Sequence, residues 1–275
     1  MAASGPLNPA VELSPEGAAA EAPQPDDDRP TILFDLDGTL IDTVELILQS
    51  FEHTFAALLP HHPAGRDVLR GYLGDPLQRT FERLAGGDAA LVARLLATYR
   101  AFNHAHHDAL VREVPGMRAA VAALAAAGAR LAVVTSKTTA LAEHGLDVCG
   151  LRPFFPVVVG VDACAQHKPH PEPALEALRR LRAAPGGLVL FVGDAPADVL
   201  CGRAAGCAAT VAVEWTALER RSVEAAGPSH WASDAPALAA LLLQLCARGG
   251  GGGGGGGQLR EEGKAAGAGW AAGST

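Results

Sequence analysis

An α/β fold, with a Rossmann-like parallel sheet and an inserted helical domain, is predicted by three observations. Short continuous apolar runs recur along the chain, helical patterns separate them, and one long interval carries helical patterns alone. Strands that are apolar throughout, with helices between them, are the mark of a parallel sheet covered on both faces.

Thr31-Ile32-Leu33-Phe34 is the first strand and ends at Asp35. From 43 to 114 no strand pattern is found. Helical stretches at 44–59, 76–84 and 89–108 fill the interval, and an inserted lobe is the simplest account of it. The sheet resumes with RLAVVT at 130–135 and FPVVVGV at 155–161. LVLFV at 188–192 and a short run at 210–213 complete it. Helices are expected at 117–127, 138–149, 171–182 and 196–205. The core is thus expected over 31–42 and 115–247, with the lobe over 43–114. Residues 1–30, rich in Ala, Pro and acidic side chains, have little apolar surface to bury and are expected to be disordered. Nine glycines at 249–257 are expected to act as a flexible tether within an unfolded tail, 248–275.

Composition narrows the function. In 275 residues, 22 Lys and Arg face 30 Asp and Glu, a formal charge of −8. A chain of that sign is not expected to coat nucleic acid or an anionic membrane. Five scattered cysteines form no C-x-x-C pair, so no disulfide framework or zinc knuckle is expected. No long uncharged apolar stretch and no signal-like start is present, and a cytoplasmic protein is expected. Aromatic residues make up 5%, which predicts a core filled mainly by Val, Leu and Ala.

The chemistry gathers at strand ends. Asp35-Leu36-Asp37-Gly38 follows the first strand, where open α/β sheets bind ligands. Two carboxylates so close repel one another unless a cation separates them, and Mg²⁺ suits carboxylates, water and phosphate oxygens. Alone, the motif reads equally as an acidic turn. Asp194 and Asp198 follow the fourth strand, where either is also suited to capping the next helix. Thr135-Ser136 ends the second strand and offers donors to a phosphate, or an N-cap. Lys168 lies between His167 and Pro169, in a segment stiffened by two prolines, yet a single Lys is ordinarily a solvated surface group. What carries weight is the set in order: two Asp, a Thr, a Lys, two Asp.

That set resembles the four motifs of the haloacid dehalogenase-like superfamily, over roughly residues 31–220. The resemblance implies that Asp35 is the nucleophile, forming an aspartyl-phosphate, and that Asp37 is the general acid and base. It implies that Thr135, Ser136 and Lys168 hold the phosphoryl group. Mg²⁺ would be held by the Asp35 carboxylate, the Asp37 main-chain carbonyl and Asp194, with Asp198 in support. It further implies that the helical lobe is a substrate-selecting cap. The segment from Tyr99 to Val111, HKPHPEP at 167–173 and AVEWT at 212–216 are similar to the PpaX-type group of bacterial inorganic pyrophosphatases. A small phosphorylated substrate, pyrophosphate first, is therefore expected. Phosphoglycolate or another small monoester, and a sugar phosphomutase reaction, are the alternatives. A non-catalytic scaffold is disfavoured because it has no need of so many costly charges. Arg100, His104 and His107 in the lobe read as exposed helix face or as ligands. Ala195 and Asp162-Ala163 depart from the superfamily's usual residues.

Overall fold

The computed structural model describes residues 29–62, 65–73 and 76–249. The expectations for 1–28, and for the glycine run and tail from 250 onward, lie outside the described residues. Strand β1 (Thr31–Phe34) is followed by the two-residue β2 (Ile41–Asp42). The helical lobe comprises α1 (Val44–Leu58), α2 (Arg66–Arg70), α3 (Leu77–Ala85) and α4 (Ala89–Leu110). After it come β3 (Arg112–Glu113), α5 (Met117–Ala126), β4 (Arg130–Val134), α6 (Thr139–Val148), β5 (Val157–Val159) and α7 (Glu172–Leu181). The chain then runs through β6 (Val189–Gly193), α8 (Pro196–Ala204), β7 (Ala209–Val213), α9 (Arg220–Ala225), β8 (His230–Ala232) and α10 (Ala235–Gly249).

Six of these strands form one parallel sheet in the order β5-β4-β1-β6-β7-β8. Its strands alternate between two apolar layers. Ile32, Phe34, Leu131, Val133, Leu190 and Val192 face one cluster, closed by Leu124 of α5, Leu146 of α6 and Leu238 of α10. Leu33, Ala132, Val134 and Phe191 face the other, closed by Ala174 and Ala177 of α7 and Cys201 of α8. Both faces being dry explains why these strands read as unbroken apolar runs. The chain leaves β1 for β4 and β5, then crosses back to β6 on the other side. β1 is therefore the topological switch point, where a crevice opens at the carboxyl ends.

The structure departs from the expectation at three points. The interval 43–114 is not wholly helical: β3 lies within it and pairs antiparallel with β2, so a two-stranded ribbon joins lobe to sheet. β8 and α10 extend the sheet side beyond the fifth expected strand, and α10 closes at Gly249. The lobe also has its own core, and it is aromatic. Phe51 meets Phe55, Tyr72, Phe81 and Tyr99 with ring centroids 5.0–5.8 Å apart. A Val, Leu and Ala filling describes the sheet better than it describes the lobe.

Candidate active site

Asp35 is delivered by β1, Thr135 by β4 and Asp194 by β6, three neighbouring strands. Directly after β1 the backbone turns on Gly38, whose φ of +75° is a left-handed value. A Cβ at that position would also collide with Asp194 Oδ2, so any side chain there would strike the carboxylate. Gly193 plays a similar part on β6, where a Cβ would meet the Asp198 carboxylate. Glycine at both points lets the acidic side chains approach one another.

Carboxylate oxygens of Asp35, Asp194 and Asp198 lie within 4.8 Å of one another, and all three residues are buried. Lys168 stands among them. Its ammonium donates to Asp35 Oδ1 at 2.7 Å, to Asp198 Oδ1 at 2.6 Å and to the Val134 carbonyl at 3.2 Å. The Lys168 side chain is 5% exposed, so this is no solvated surface lysine. Asp198 also accepts the Ala195 N–H at 3.0 Å through Oδ2. Capping and participation in the cluster are thus two uses of one side chain. Asp194 accepts the Thr216 hydroxyl at 3.0 Å.

Lys168 pairs with Asp35 and Asp198, and if all three buried carboxylates were ionised two negative charges would be left uncompensated. The electrostatics follow from that deficit. Burial, then repulsion from Asp198, pushes the Asp35 carboxyl up to about 7. Burial and the charge of Asp35 lift Asp194 well above the usual carboxylate range. Burial works against the charge of Lys168, but Asp198 and Asp35 more than overcome it and hold the ammonium above its ordinary range. A hard divalent cation fits this donor set in both chemistry and charge: all the ligand atoms are carboxylate oxygens, and two positive charges are missing.

Asp37 stands apart from the trio. Its carboxylate is 27% exposed and accepts a 2.6 Å hydrogen bond from Lys137 Nζ. Thr135 is buried at the end of β4, its Oγ1 accepting the Lys137 N–H at 3.2 Å. Ser136 is exposed on the following bend, and no hydrogen bond of its side chain is formed among the described residues. Asp162 has a structural use: Oδ1 accepts from Thr139 N and Oγ1 at 2.7 and 2.9 Å, capping α6 from a separate segment.

Lys137 and Thr216 are the functional candidates that the strand-end reading passed over. Lys137 comes two residues after Thr135, at a strand end already singled out, and position alone would have found it. Thr216 closes the AVEWT segment past the fifth strand, which is similar to the pyrophosphatase group but gives no sign of a partner for its hydroxyl. Of the lobe residues, His107 is buried and His104 exposed, while Arg100 is exposed.

A family model described as haloacid dehalogenase-like hydrolase matches residues 32–213. The chain is 45% identical over 186 residues to a protein named pyrophosphatase PpaX from Anoxybacillus flavithermus, covering 68% of this chain and 84% of that one. It is 42% identical over 198 residues to a pyrophosphatase PpaX from Bacillus thuringiensis, covering 72% and 89%. Among solved structures, a haloacid dehalogenase-like family protein from Streptococcus pneumoniae superposes with a TM-score of 0.68 at 24% identity, covering 78% of this chain and 99% of that one. A hydrolase from Pseudomonas syringae gives 0.67 at 21% identity, with 78% and 99% covered. No helix among the described residues is long and apolar enough to cross a membrane.

Proposed function

The chain belongs to the haloacid dehalogenase-like hydrolase family, and from that premise we propose that it is a Mg²⁺-dependent hydrolase of inorganic pyrophosphate. The observation that carries the phosphohydrolase reading is the buried trio of Asp35, Asp194 and Asp198 around Lys168, short of two positive charges at the switch point of the sheet. The choice of pyrophosphate rests on the relatives at 45% and 42% identity.

The Asp35 carboxylate, the Asp37 main-chain carbonyl and Asp194 would hold the cation, with Asp198 in support. When bound, Mg²⁺ supplies the missing positive charge and neutralises the phosphoryl oxygens. Asp35 Oδ1 is engaged by Lys168, whereas Oδ2 accepts no hydrogen bond among the described residues and is the oxygen left to act as nucleophile. Oδ2 attacks one phosphorus, forming an O–P bond as the bridging P–O bond breaks. Asp37 gives its proton to the departing phosphate and is then left as a base. Asp37 next takes a proton from water, whose oxygen attacks the acyl-phosphate and frees the second phosphate with the Asp35 carboxylate restored. One pyrophosphate and one water thus yield two phosphates. Lys168 and the Thr135 hydroxyl face the charge that grows on the phosphoryl oxygens. Lys137 fixes the direction of the Asp37 carboxylate. The helical lobe is the element that would close over the crevice and exclude bulk water.

The test is phosphate release from pyrophosphate, phosphoglycolate and a sugar phosphate, each with Mg²⁺ and with chelator. The expected outcome is Mg²⁺-dependent turnover with kcat/KM highest for pyrophosphate. A higher value for either organic ester would remove the pyrophosphate reading and keep the phosphohydrolase. Transfer of phosphate within the sugar, without release, would make the enzyme a mutase.

A further inference from the structure

A second group of ligating side chains lies away from the acidic trio, at the root of the helical lobe. In the last turn of α4, His107 Nδ1 is 3.0 Å from Asp108 Oδ1, and His144 Nε2 of α6 is 2.7 Å from the same oxygen. The two imidazole rings lie 5.0 Å apart between centroids. One nitrogen from each ring and the carboxylate oxygen lie within 4.8 Å of one another. We propose that His107, Asp108 and His144 form a cation site for a transition-metal ion of Zn²⁺ type, tying the end of α4 to α6.

The donor chemistry separates this site from the first. Three carboxylates suit a hard cation, whereas two imidazoles and one carboxylate suit Zn²⁺ or its neighbours. The spacing is close to what is needed. Bonds of about 2.0–2.1 Å in a tetrahedron put ligand atoms roughly 3.3 Å apart. Asp108 and His144 are exposed, so small side-chain rotations open the spacing and an ion has a way in. In the absence of an ion, the carboxylate accepts an N–H from each ring. On ligation the ion replaces both hydrogens, and each neutral ring carries its proton on the other nitrogen.

His107 is the buried member of the set and fixes where the ion would sit. Its side chain is 1% exposed, yet Nε2 is buried with no hydrogen-bond partner. His104 precedes Asp108 by one helical turn, on the same side of α4, where it or a water would take the fourth position. α4 runs into β3, which pairs with the β2 strand that follows the Asp37 turn. An ion here would hold the root of the lobe against the sheet domain.

The full-length protein in excess Mg²⁺, which occupies the acidic trio, is titrated with Zn²⁺ by calorimetry, and melting is followed in parallel. One equivalent is expected to bind wild type and Asp194→Asn alike, and to raise the melting temperature of both. His144→Ala and Asp108→Asn, at exposed positions, should weaken Zn²⁺ binding by more than the roughly 10–100-fold typical of losing a mere supporting partner. His144→Gln serves as a second variant of the same ligand. Unchanged affinity in the His144 and Asp108 variants, loss confined to Asp194→Asn, or no binding to wild type would each overturn the site. None of these outcomes touches the pyrophosphatase reading, which is judged by turnover.

Discussion

The strand ends of the sheet and the helical lobe spend their sequence differently. Around β1 and β6 the chain buries three carboxylates and a lysine where apolar groups would pack at lower cost. In the lobe it does the opposite, gathering Phe51, Phe55, Phe81 and Tyr99 into an apolar core. On the proposed function, groups that reduce stability in one place serve chemistry, while the other region is built to hold a shape. Substitutions at the two should therefore separate turnover from stability.

The sharpest break of that contrast is Asp35→Asn against Phe51→Ala. On the proposed mechanism the first removes the attacking oxygen, and it should lower kcat on the order of 10⁵-fold. Its melting temperature should not fall, because a repelled buried carboxylate has been neutralised. The second should cost about 3–5 kcal/mol of stability while the folded fraction keeps kcat within a few-fold. Turnover assays paired with denaturant melts read both effects. If Asp35→Asn unfolds the protein, or Phe51→Ala abolishes turnover in folded material, the two regions do not divide the labour this way.

Lys168→Met probes the cluster from its positive side. Transition-state charge loses a donor, and kcat should drop about 10²–10³-fold. Asp35 and Asp198 also lose their shared counter-charge, which should destabilise the metal-free protein by about 3–5 kcal/mol. Added Mg²⁺ should recover much of the stability and little of the rate. Full recovery of both would reduce the lysine to a structural counter-ion.

Why the two regions differed in legibility follows from where their information lies. Each strand-end motif is local: an apolar run followed at once by Asp35, Thr135 or Asp194 needs no knowledge of distant partners. Five strands of the main sheet were therefore readable, and the order of motifs supplied a family. Short elements held by their neighbours were not. β2 and β3 are two residues each and exist because they pair with one another, and β8 is placed by β7. The lobe's helices were visible by period, but not that Phe51 of α1 would meet Phe81 of α3 and Tyr99 of α4. The contact of Lys137 with Asp37 spans 100 positions, and that of Thr216 with Asp194 spans 22. The residues were in view; their pairing was a product of the fold.

Lys137→Ala sharpens the contrast further, since Lys137 lies at the rim yet outside the trio. Removing a charge-assisted hydrogen bond of about 1.5–3 kcal/mol should lower kcat/KM roughly 10–100-fold. Combined with Asp37→Asn, it should add little, because both act through one carboxylate. Additive losses in that double variant would give Lys137 a separate contact with substrate.

The remaining comparison is a pH dependence of stability, and its sign is informative. Asp35 has a carboxyl raised from 3.8 to about 7 by burial and by Asp198, with Lys168 opposing. Between those values the folded state holds a proton that the unfolded chain has released. Folded proteins that bind the extra proton lose stability as pH rises, so without divalent cation the melting temperature should fall from about pH 4 to about pH 7. A loss of 1 kcal/mol is about 2–4 °C in a domain of this size. Other groups titrate in the same window, so the quantity to read is the difference between wild type and Asp35→Asn, which lacks the carboxyl. Saturating Mg²⁺ should flatten that difference, since a cation between the oxygens favours their ionised form. A wild type that gains stability relative to Asp35→Asn as pH rises, in chelator, would mean that Lys168 alone suffices to charge the site, and the case for a divalent cation among these aspartates would lose its electrostatic ground.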